Sequence, residues 1–223
     1  MKISLVLFAT ATMFVAAACN NGSENNSTNK DTSTSNTSST TEQTPATHDT
    51  AASHADLMKP MNDMMGKMQS MQMTGDFDID FANMMVEHHQ GAIDMAQVEV
   101  SNGKDEKMKV KAQEIITKQK GEQQKLRDFV SSYKPSGMKH GEGELGKSMN
   151  DMNSKMKSMQ PSGDVDKDFA TMMSSHHQDG IDMAKMELKN GMSAELKKMV
   201  QKMIDDQQRE IKEFKAWMNS SNK

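Results

Sequence analysis

Apolar residues recur every three or four positions from Leu57 to near the end of the chain, broken only by short polar interruptions. In "LMKPMNDMMGKMQSM", 57–71, Met58, Met61, Met65 and Met68 form one stripe at helical spacing, which predicts a short helix closed by "TGD". Asp76 then stands where an N-cap is wanted, ahead of a long helix over about 77–101 that Asn102-Gly103 closes. A third helix over about 105–132 carries its apolar residues at Met108, Ile115, Leu126, Phe129 and Val130. No segment makes a convincing strand.

Sliding the chain along itself by 88 positions repeats the whole pattern without a gap. Met61 falls on Met149, Met64 on Met152, Met68 on Met156, Gly75 on Gly163, Asp76 on Asp164, Phe81 on Phe169, Met95 on Met183, Glu99 on Glu187 and Gly103 on Gly191. The second set of helices is therefore expected at about 165–189 and 193–219, the last with Leu196, Met203, Ile204, Phe214, Trp217 and Met218 inward. The repeats run over about 58–133 and 146–220, joined by the Pro- and Gly-containing loop "KPSGMKHGEGELG". Four long helices paired as two hairpins, plus short Met-rich helices, predict an all-α antiparallel four-helix bundle.

The ends read differently. "MKISLVLFATATMFVAAAC" has a basic residue, an apolar run too short to span a bilayer, and small residues before Cys19, the pattern of a secretory signal over residues 1–18. Ala16, Ala17, Ala18 and Cys19 resemble a bacterial lipobox, so Cys19 is expected to be lipidated and to anchor the mature chain, periplasmic or at the cell surface, to a membrane. As the only cysteine, it allows neither an internal disulfide nor a thiolate metal cluster. The Ser-, Thr- and Asn-rich stretch after it reads as a disordered tether over 19–56, with His48 and His54 as solvated tether residues. Removing residues 1–18 takes away Lys2 and moves the formal charge from −4 to −5, which argues against nucleic acid.

The chemistry concentrates in "MMVEHHQGAIDMA", 84–96, and "MMSSHHQDGIDMA", 172–184. Adjacent residues on a helix diverge by about 100°, so His88 and His89 cannot readily chelate one ion together. Met84, His88 and Met95 share a face, with Met85 near it and His89 at its edge; Met172, Met173, His176, His177 and Met183 repeat the arrangement. Thioether and imidazole together suit Cu(I) and, by the same softness, Ag(I), whereas zinc prefers thiolate, several histidines or carboxylate. The Glu-x-x-His of di-iron bundles is absent, since Met85, Val86, Met173 and Ser174 precede the histidines by three. Cys-x-x-Cys-His for covalent haem is absent too.

A methionine stripe is ordinarily core, because Met packs flexibly. Here the chain has 26 methionines and, beyond residue 18, only five leucines, a substitution that lowers core specificity without structural gain. Met61, Met64, Met65, Met68, Met149, Met152 and Met156 on the short helices are therefore auxiliary soft-donor candidates. Gln119 and Gln207, at matching positions on the inner faces of the third helices, are candidates to orient a histidine ring.

"TGDFDIDFANMMVEHHQGAIDMA" and "SGDVDKDFATMMSSHHQDGIDMA" resemble the signature of the bacterial secreted family known as domain of unknown function 305, over about 57–219. The resemblance implies a ferritin-like bundle of two helical-hairpin repeats. Some members, the CopM-like periplasmic proteins, bind copper and silver through Met and His, which implies the same cargo, motif residues His88, His89, His176 and His177, and a protein that donates or accepts the metal. The second copy departs at Asp179-Gly180, where the first has Gly91-Ala92, and a mid-helix glycine costs about 1 kcal/mol against alanine, so a kink is expected there. The expected role is copper sequestration or transfer without catalysis; the rivals are a ferritin-like metal oxidase and a metal-independent lipoprotein that grips a partner through its Met-rich faces.

Overall fold

The computed structural model describes residues 50–135, 137 and 143–221, with side chains from His54 onward. The signal, Cys19, His48 and most of the tether lie outside the described residues. Six helices follow in order: α1 Thr50–Ser70, α2 Phe77–Asn102, α3 Glu106–Ser132, α4 Glu144–Ser158, α5 Val165–Asn190 and α6 Ala194–Ser221. Among the described residues there is no strand, and no helix is long and apolar enough to cross a membrane.

The long helices begin as the sequence predicts. Asp76 accepts from Ile79 N and Asp164 from Lys167 N, each satisfying an orphan amide of its helix's first turn. Their ends differ from the usual glycine cap: Gly103 and Gly191 have φ of −61° and −62°, extended rather than left-handed. Glycine is needed there for space. A Cβ at Gly103 would run into the Glu99 carboxyl, and one at Gly191 into that of Glu187.

Two expectations are corrected. α1 starts at Thr50, seven residues before the apolar stripe, because helix-compatible Ala, Ser and Asp residues extend it into the stretch read as tether. His54 is accordingly helical and largely buried, with Nδ1 3.4 Å from Asp168 Oδ2. α5 is one uninterrupted helix through Gly180.

α2 packs on α3 and α5 on α6, and the two hairpins meet through α2 against α5, with α1 lying on α2 and α5 and α4 on α5. The apolar core is continuous across both repeats. Buried carboxylates fasten the hairpins to each other. Asp78 at the start of α2 accepts from Met192 N and Ser193 N ahead of α6, and from Tyr133 Oη. Its repeat equivalent, Asp166, accepts from Lys104 N and Asp105 N ahead of α3. Repeat-equivalent residues that touch must straddle the pseudo-twofold axis. His88 with His176 and Lys118 with Asp206 are two such pairs.

Candidate metal centre

The first histidines of the two motifs meet at the centre of the bundle. His88 and His176 are fully buried, their ring centroids 3.7 Å apart and their planes inclined by 31°. None of the four ring nitrogens makes a hydrogen bond of normal geometry. Burial first, and then the neighbouring histidines, hold both pKa values well below the ordinary imidazole range, so both rings are neutral donors. A buried polar group without a partner is costly, and two stacked at one point call for a ligand.

The second histidines turn the other way. His89 Nε2 lies 2.9 Å from Glu122 Oε2 on α3, and His177 Nε2 2.7 Å from Glu210 Oε2 on α6. With centroids 6.5 Å from His89 to His88 and 6.3 Å from His176 to His177, four buried imidazoles form a series capped by a carboxylate at each end. Glu122 and Glu210 are the residues the sequence reading missed. They match across the 88-residue repeat and follow Gln119 and Gln207 by three, on the same face, so the signal was present. Burial raises the Glu210 pKa, but the His177 contact and Lys118, 2.9 Å away, outweigh it and bring it down to about 2.

Of the predicted soft donors, Met84, Met85, Met95, Met172, Met173 and Met183 are all buried in the core that holds the histidines. Met61, Met64, Met65, Met68, Met152 and Met156 are buried too, and Met149 partly so. α1 is thus a genuine core helix, and packing alone accounts for the burial of its stripe. Met64 goes further: its Sδ is 2.7 Å from where a Cβ would stand at Gly91, so this missing side chain seats a thioether one turn from His88. Gly180 has a similar use. A Cβ there would lie 2.8 Å from Gln207 Oε1 and 3.0 Å from His88 Cε1, so the glycine makes room for the ring and the amide. Gln119 and Gln207 are both buried, and Gln119 Oε1 has no partner.

No three His, Cys, Asp or Glu side chains among the described residues converge on a point that could hold an ion. The stacked rings present their lone pairs edgewise, so one ion gripped by both requires at least one ring to turn about χ2, a soft torsion.

The chain can be set beside known proteins on this basis. The model of the family described as Domain of unknown function (DUF305) matches residues 23–130 and again 130–218. Among solved structures, CopM in the Ag-bound form obtained by soaking is 26% identical with a TM-score of 0.50, covering 67% of this chain and 98% of that one. CopM in the Cu(I)-bound form is 27% identical with a TM-score of 0.49, covering 64% and 96%, and the apo form gives the same figures. No curated protein matches. Two consecutive family matches, one to each hairpin and each with its HH pair, make this chain a member of the DUF305 family.

Proposed function

We propose that this protein binds soft monovalent copper, Cu(I), and Ag(I) in its Met- and His-lined core, and sequesters or hands on the ion without catalysing a reaction. The observation that carries the reading is the stacked His88–His176 pair, neutral, fully buried and without a hydrogen bond of normal geometry at any ring nitrogen, in a core rich in thioethers. Imidazole and thioether are the donors that Cu(I) selects. The likeness to CopM with Ag bound supports it. His88, His176 and the methionines of α2 and α5 would hold the ion, while Glu122 and Glu210 orient the outer histidines. We place the protein outside the cytoplasm, anchored through Cys19, where it contributes to metal tolerance and exchanges its ion with a donor or acceptor protein.

The test is an anaerobic Cu(I) titration of the purified chain against a competing chelator, with His88→Ala/His176→Ala as the comparison. The expected outcome is tight binding that the double variant loses by at least about a hundredfold. Affinity that survives in a folded variant, or a wild-type chain that cannot compete with the chelator, overturns the reading.

A further inference from the structure

α3 and α6 face each other along a seam that the pseudo-twofold axis crosses at Lys118 and Asp206, 3.3 Å apart. The two sides of this seam differ. On one side an ion pair closes it: Lys111 bonds Glu213 across the seam and Glu114 of its own helix at 3.0 Å, while within α6 Arg209 holds Asp206 at 2.7 Å. At the equivalent positions on the other side, Lys111 is replaced by Met199, Glu213 by Lys125, Glu114 by Lys202 and Arg209 by Gly121. There a cleft of about 250 Å³ opens, lined among others by Met199, Met203, Gly121 and Glu122.

Glu122 is the link to the interior, because its carboxylate both borders the cleft and holds His89, which adjoins the stacked pair. The cleft therefore offers two thioethers and an anion, with an imidazole behind them. That donor set selects a soft monovalent cation over a hard divalent one. Lys118 and Lys202 stand at the rim, but their charge is committed to Asp206 and Glu210, and Lys125 is exposed. Met203 is buried against the core, whereas its counterpart in the first repeat is Ile115, so at these two matched positions sulfur stands on the open side only.

We infer that this cleft is the port through which Cu(I) or Ag(I) reaches the buried imidazoles, by way of Met199, Met203 and Glu122. The inference rests on the metal-binding reading above, and rate separates the two. Gly121 is exposed and a Cβ there meets nothing within 4 Å, so Gly121→Trp sets a large side chain at the mouth from an unobstructed attachment point. Gly66 on α1 is equally open and serves as the control. The measurement is stopped-flow transfer of Cu(I) from a weak chromogenic chelator to the full chain under anaerobic conditions.

Gly121→Trp should slow uptake at least tenfold while reaching wild-type final occupancy, and Gly66→Trp should match the wild-type rate. Met203→Ile and Met199→Lys, which install the first repeat's own residues, should each slow uptake several-fold and serve if the tryptophan variant fails to fold. Uptake by folded Gly121→Trp at the wild-type rate overturns the port, as does a loss of final occupancy at unchanged rate. A wild-type chain that takes no Cu(I) removes the port together with the reading beneath it.

Discussion

Glu122 and Glu210 occupy the same place in the two repeats, and each holds the outer histidine of its own motif. Glu210 also takes Lys118, which further engages an Asp206 already bound by Lys202 and Arg209. Glu122 has no such second partner among the ion pairs of the described residues. The inner chemistry of the repeats is thus duplicated while the shell around it has diverged. Residues that touch across the axis explain why. A symmetric pair of like charges repels, and a fused chain can replace it with Lys118 against Asp206.

The largest expected effect tests what the repeats share. Glu99 and Glu187 are fully buried, and burial, with Asp166 beside one and Asp78 beside the other, pushes each pKa up to about 9. Between the usual carboxyl value of 4.5 and about 9 the folded chain keeps a proton that the unfolded chain has lost. Stability from these groups is therefore fully present at low pH and lost as pH rises, by up to about 1.4 kcal/mol per pH unit for each. Urea denaturation from pH 5 to 9 should show the decline, and Glu99→Gln or Glu187→Gln should each remove about half of it. A flat or rising profile refutes the assignment.

The next effect separates the repeats. Asp78→Ala removes an acceptor from Met192 N, Ser193 N and Tyr133 Oη, Asp166→Ala from Lys104 N and Asp105 N, and each also removes the carboxylate bonded to a buried glutamate, Glu187 or Glu99. Both should destabilise by about 2–4 kcal/mol, as lost bonds to a buried charge do, with Asp78 the costlier by about 1 kcal/mol. Tyr133→Phe should close that gap in urea titrations; equal costs beforehand would show that Tyr133 adds nothing.

Much of this was legible beforehand, for a physical reason. Helix periodicity and Asp caps are local, so α2, α3, α5 and α6 emerged within a residue or two of their observed ends, and Met84, His88 and Met95, which the spacing groups on one face, are all fully buried. The partners of His89 and of Asp78 lie 33 and 114 residues away, and no local pattern encodes them. Gly180 looked like a weak point in a helix, because its use is a close approach by His88 from the other repeat.

That glycine supplies the third comparison. Gly180→Ala gains about 1 kcal/mol of helix propensity but presses on Gln207 and His88, so stability should move by no more than about 1 kcal/mol while Cu(I) affinity falls several-fold. The matching change in the first repeat, Ala92→Gly, should cost about 1 kcal/mol of stability. Affinity unchanged in Gly180→Ala, by chelator competition, would mean that the ring's position does not matter. The smallest effect belongs to Lys118→Met, which gives Glu210 the single partner that Glu122 has. A loss of about 1 kcal/mol is expected in thermal melts, since Asp206 keeps two other cations.

The Lys118–Asp206 contact also governs what each hairpin could do apart from the other. Two copies of the first would set lysine against lysine on the axis, and two copies of the second would set aspartate against aspartate. Only unlike halves neutralise that point, so the contact favours pairing a first hairpin with a second, as in a heterodimer whose subunits share one backbone. Exchange of hairpins between molecules is therefore biased toward swapping first for first or second for second, and against a bundle built from a single kind.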